Sequence, residues 1–76
     1  MRIYSAAGVC MADSLQSDAE AVRWWLENGR RGDILETPVP GQASGTNERL
    51  SDMAGEIFPE VDWHYDQAGN VISNLV

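Results

Sequence analysis

Glu48, Asp52 and Glu56 lie four residues apart, and Glu60 continues the spacing past Pro59. If this stretch is helical, the first three form a carboxylate row along one face, about 6 Å from one turn to the next. Like charges at that spacing cost a helix about 0.2–0.5 kcal/mol per pair, so the row is not a stability device. The chemistry open to it is Coulombic attraction of a cationic surface. Its spacing is near that of backbone phosphates, which predicts a surface that imitates nucleic acid and occupies a basic groove on another protein. Asp62 and Asp66 extend the patch, with Glu60, if the C-terminal hairpin starts beside the helix end. An ordinary solvated face that maintains solubility is the competing account.

Trp24 is the second candidate. A helix that buries Leu15, Ala19, Val22 and Leu26 puts Trp25 on its flank and points Trp24 outward, among Glu20, Glu27 and Asn28. Tryptophans are enriched at interface hot spots, so Trp24 is a candidate partner or dimer contact. A helix covered on both sides by the 31–47 segment is the alternative.

Other combinations carry less. His64 is the only histidine and reads as an exposed cross-strand residue. A Ser-His-Asp hydrolase has no nucleophile elbow here. No Cys/His cluster supplies metal ligands, and Asp62, Asp66 and Asn70 do not follow the calcium-loop spacing. The glycines near Gly41 and Gly45 match neither the P-loop nor the dinucleotide fingerprint. Arg31-Gly32-Asp33 spells the integrin tripeptide, for which chance is the simplest account. The expectation is a protein that is not an enzyme and uses no cofactor or metal.

Charge narrows the partners. Twelve acids face five arginines and no lysine, a net −7. Residues 44–76 carry −5 of this and residues 1–43 only −2. Such a field repels nucleic acid and membrane surfaces and attracts basic protein. No stretch approaches the roughly 18 apolar residues of a membrane-spanning helix. The lone Cys10 fits a reducing cytoplasm and reads as a small buried apolar residue.

The elements that position these residues follow from periodicity. Arg2–Val9 alternates as a strand. A helix spans Leu15–Asn28, with Asp13/Gln16 and Ser17/Glu20 as rival start signals and Gly29 as its C-cap. Asp33–Glu36 is a short strand, followed by Pro38 and Pro40, which confine it to an edge or loop position. Gly41–Asn47 is a loop. A second helix spans Glu48–Phe58, burying Leu50, Met53, Ala54, Ile57 and Phe58 and ending at Pro59. The C-terminus is a hairpin with a bulged Asp66–Gly69 turn. It pairs Tyr65 with Val71, Trp63 with Ser73 and Val61 with Leu75, and its other face carries Asp62, His64, Ile72, Asn74 and Val76. Tyr65-Asp66 with Gly69-Asn70 resembles one unit of the YD repeats of large secreted shell proteins, over about six residues.

With 76 residues the chain is one small α+β domain. Its expected order is β-α-β-α-β-β, with two helices on one face of a mostly antiparallel sheet. The functional expectation is a non-enzymatic acidic inhibitor or binding module. It would act in the cytoplasm on a basic, nucleic-acid-handling protein. In size and charge it is similar to phage-encoded inhibitors such as some anti-CRISPR proteins, and to immunity proteins against nuclease toxins. A homodimer through a Trp-containing helix face is the alternative.

Overall fold

A computed structural model describes residues 1–75, so Val76 lies outside the described residues. In chain order the elements are β1 (Arg2–Tyr4), β2 (Cys10–Ala12), α1 (Asp18–Asn28), β3 (Ile34–Thr37), β4 (Thr46–Arg49), α2 (Leu50–Ile57), β5 (Trp63–Tyr65) and β6 (Val71–Ser73). The first four strands form an antiparallel sheet ordered β2-β1-β3-β4, and β5 and β6 form a separate antiparallel hairpin. The α+β class and the closing hairpin agree with the expectation. The sheet holds two strands, β2 and β4, that periodicity did not reveal.

The strand expected over Arg2–Val9 is interrupted. Ser5 N–H donates to the Val9 carbonyl at 2.8 Å, and Gly8 N–H donates to the Ser5 carbonyl at 2.9 Å. The Ser5 hydroxyl also accepts the Ala7 and Val9 N–H groups, at 3.2 Å each. Small residues with weak strand propensity close a turn here, and the chain pairs back on itself. Met11 is the extra residue of a bulge, since Ala12 faces Ile3 and Cys10 faces Tyr4. Cys10 is exposed on this edge strand, contrary to the expected buried position.

Helix α1 starts at the second of its two signals. The Ser17 hydroxyl accepts the Glu20 N–H at 3.1 Å, and the Glu20 carboxylate accepts the Gln16 N–H at 2.8 Å. Leu15 is buried but precedes the helix, where its N–H donates to the Met1 carbonyl. The buried stripe is Ala21, Val22, Trp25 and Leu26, and Ala19 is exposed. The helix is rotated so that its largest apolar side chain faces inward; Trp25 is only 1% exposed. An aromatic side chain of that size dominates core energetics, which outweighs the stripe first read from aliphatic spacing. Gly29 caps the helix in an extended conformation, φ −77° and ψ 174°, not in the left-handed one. Its role is space: any β-carbon there would collide with the Trp25 indole and carbonyl.

Ile3 on β1 faces Leu35 on β3, so both point to one side of the sheet. That side is covered by the helices, and Ile3 and Leu35 join Val22, Leu26, Leu50 and Met53 in one core. Strand β3 is interior, between β1 and β4, and Pro38 falls just after its last residue, where no ladder donor is lost. Helix α2 buries Leu50, Met53 and Ala54, with Ile57 and Phe58 packed against the core, as periodicity predicts.

The hairpin has the expected register where it is paired, with Tyr65 opposite Val71, His64 opposite Ile72 and Trp63 opposite Ser73. The ladder stops at Trp63 and Ser73, short of the expected pairing of Val61 with Leu75. Asp66 N–H donates to the Asn70 carbonyl at 2.9 Å. Gly69 takes the left-handed φ of +83° that the bulged turn requires. The hairpin is fastened to the end of α1. Ser73 donates its hydroxyl to the Leu26 carbonyl at 2.9 Å, and Arg31 and Val71 N–H groups bond to the Gly69 and Gly29 carbonyls. No helix among the described residues is long and apolar enough to cross a membrane.

Candidate functional site

The acidic row is built differently from the helical ridge that the spacing predicts. Glu48 lies on β4, opposite Leu35, and only Asp52 and Glu56 belong to α2. Extended chain wins over 46–49 because each residue meets a partner on β3: Thr46 with Thr37, Asn47 with Glu36, Glu48 with Leu35, Arg49 with Ile34. Those ladder bonds are non-local and leave no trace in the segment's own periodicity. The helix begins only at Leu50, whose N–H donates to the Asp33 carbonyl at 3.3 Å. Arg49 is the N-cap residue and makes no side-chain cap bond.

What remains is a set of exposed carboxylates carried on three segments. Glu48 is exposed on the edge strand β4. Asp52 and Glu56, one turn apart, are exposed on the side of α2 away from its buried residues. Glu60 and Asp62 are exposed on the segment leading into β5. The Asp62 backbone is held, its N–H donating to the Asn74 side chain at 3.0 Å and its carbonyl accepting the Asn74 N–H at 3.1 Å. None of these five carboxylates forms an ion pair among the described residues, where Arg23–Glu27 is the pair observed.

Asp66 belongs to the turn and not to this set. Its carboxylate accepts the N–H groups of Ala68 and Asn70, each at 2.9 Å, and the Asn70 side-chain amide at 3.2 Å. The Asn70 N–H is the foremost cause that holds the Asp66 carboxyl below its ordinary range. A carboxylate engaged in this way organises the hairpin and offers less to a partner.

Trp24 is half-buried and packs against the core cluster, where an outward-pointing ring was expected. Rotation of α1 toward Trp25 carries Trp24 with it, since adjacent helix positions are about 100° apart. His64 is exposed on the hairpin's outer face. Asp33 of the Arg31-Gly32-Asp33 tripeptide is buried, at 4% exposure, and its carboxylate accepts the Arg30 N–H at 2.8 Å. An adhesion motif needs that carboxylate free, so the tripeptide is structural. Among the described residues no three His, Cys, Asp or Glu side chains are grouped to hold a metal ion.

Sequence spacing did not single out the cavity between the end of the four-stranded sheet and the hairpin, about 410 Å³ and lined in part by Arg31, Arg49, Trp25 and Tyr65. Arg31 and Arg49 are 18 positions apart in the chain, and only the β3–β4 pairing brings them to one cavity. Comparison with known proteins finds no match to a protein-family model, a curated protein or a solved structure.

Proposed function

We propose that this protein is a non-enzymatic acidic binding or inhibitor protein. Its acidic face docks on a basic surface of a nucleic-acid-handling protein, in place of nucleic acid. One observation carries the reading: Glu48, Asp52, Glu56, Glu60 and Asp62 are all exposed and unpaired among the described residues. Mutually repelling charges that no neighbour neutralises suit an external cationic partner, and their main contribution is to association rate. The single unpaired cysteine, Cys10, supports a reducing, cytoplasmic setting. A homodimer through α1 is the second reading, supported by the half-exposed ring of Trp24.

The test starts with the partner captured from the native host and identified, then purified. Association is measured for the parent and for the triple variant Glu48→Lys, Asp52→Lys, Glu56→Lys, across a range of salt. These side chains are exposed, so the fold is retained, which circular dichroism checks. The expected result is association slowed at least about tenfold, with a flattened salt dependence. Association unchanged by the triple reversal removes the docking reading.

A further inference from the structure

We propose that the cavity at the end of the four-stranded sheet binds a small phosphomonoester, its phosphate held between Arg31 and Arg49. This goes beyond the acidic docking face and uses a different part of the molecule. The starting observation is an imbalance. The chain has twelve carboxylates for five arginines, so every guanidinium has anions to choose from. Arg23 pairs with Glu27, Arg2 donates to the Tyr4 hydroxyl, and Arg30 donates to the Ala68 carbonyl. Arg31 and Arg49 alone have no hydrogen bond or ion pair from their side chains among the described residues, and both line the same cavity.

The geometry leaves their donors available. Arg31 sits on a turn in which Asp33 N–H donates to the Arg30 carbonyl, and its guanidinium carbon lies 4.7 Å from the Tyr65 ring centre. Contact with the ring occupies one face of the guanidinium and leaves the in-plane N–H groups, which make the directional bonds to phosphate oxygens. Arg49 ends β4 directly before α2, and no side chain caps that helix start. The Ser51 hydroxyl, in the first turn of α2, also lines the cavity and makes no hydrogen bond among the described residues.

The ligand class follows from charge, size and wall. Two guanidiniums against the one lining carboxylate, Asp33, leave the wall net positive. Asp33 itself accepts the Arg30 N–H. Two arginine forks approaching from separate elements suit a phosphate dianion, whereas a planar carboxylate is satisfied by one. The volume, about 410 Å³, is within the range of small-molecule pockets, about 300–1,000 Å³. Tyr65, Ile34 and Ala6 give it an apolar side for an organic body. A net charge of −7 disfavours a polyanion, which singles out a ligand with one phosphate.

The test is a titration of the isotope-labelled protein with AMP, inorganic phosphate and adenosine, read as amide and arginine side-chain shifts by NMR. The expected result is saturable shifts at Arg31, Gly32, Arg49 and Ser51 with AMP, weaker binding of phosphate, and no saturable shift with adenosine. Arg49→Gln, at an exposed position with no internal bond, weakens AMP binding at least about tenfold while hairpin resonances stay in place. Arg31→Gln gives the same loss from the other side of the cavity. No saturable shift with AMP, adenosine binding as well as AMP, or Arg49→Gln binding as the parent does would each overturn the site. AMP binding no tighter than phosphate overturns the phosphomonoester assignment.

Discussion

The indole N–H of Trp25 donates to the Arg30 carbonyl at 3.2 Å, and the same ring meets Trp63 edge-on with centroids 4.9 Å apart. One side chain therefore joins α1, the loop that leaves it and the C-terminal hairpin. Tyr65 completes the cluster, 5.2 Å from Trp63 and 6.3 Å from Trp25. In a domain this small, which buries only about 60% of its unfolded surface, such a junction carries much of the cooperativity.

Trp25→Phe keeps most of the apolar volume but removes the indole donor from the Arg30 carbonyl, which retains the Asp33 N–H at 3.3 Å. The expected cost is about 0.5–1.5 kcal/mol. Trp25→Ala also opens a cavity and costs about 3–5 kcal/mol. Urea unfolding of both variants checks the order: Trp25→Ala must be the weaker fold, with Trp25→Phe between it and the parent.

Gly29 and Gly55 respond in opposite directions to the same substitution. Gly29→Ala drives a methyl group into the Trp25 indole, so the helix end or the ring must shift, and thermal stability falls. Gly55 is an exposed α2 residue with nothing near the position a β-carbon would take. Gly55→Ala therefore raises stability, by up to about 1 kcal/mol. Melting temperatures moving in the same direction for both variants would contradict this account.

Two carboxylates give stability opposite dependences on pH. Bonds from Asn70 and Ala68 lower the Asp66 pKa below its ordinary 3.8. Between the folded and unfolded values the unfolded chain binds more protons, so the Asp66 contribution is full above about 3.8 and is lost as pH falls through the lowered folded value. Burial raises the Asp33 pKa above 3.8, against a smaller opposing pull from the Arg30 N–H. The folded chain then binds more protons, so the Asp33 contribution is present at low pH and is lost as pH rises through the raised folded value. Unfolding measured from pH 2.5 to pH 7 checks both signs. Asp66→Ala flattens the acid side of the profile. Asp33→Asn, which keeps an acceptor for Arg30, removes the decline at higher pH.

Trp24→Ala separates packing from dimerisation. Half-burial against the core predicts a loss of about 1–2 kcal/mol in stability. The docking reading expects the parent to have monomer mass in solution by light scattering, and the variant to have the same mass. A parent mass of two chains that falls to one in the variant would favour the dimer reading instead.

Local chemistry alone determined the hairpin, because its turn residues and its alternation act over a dozen positions. Asp66, Gly69 and the pairing of Tyr65 with Val71 could be read directly. The second start signal of α1, Ser17 with Glu20, and the buried residues of α2 were legible for the same reason. Tertiary structure decided the rest. Glu48 became a strand residue because Leu35 stands opposite it, a contact 13 positions away in the chain. Ala19 gave up its place in the core because Trp25 had Trp63 and Tyr65 to pack against. Arg31 and Arg49 share a cavity only through the pairing of Ile34 with Arg49. The acidic residues were visible from composition and spacing, but the surface they form is set by non-local pairing, whose energy no window of the sequence contains.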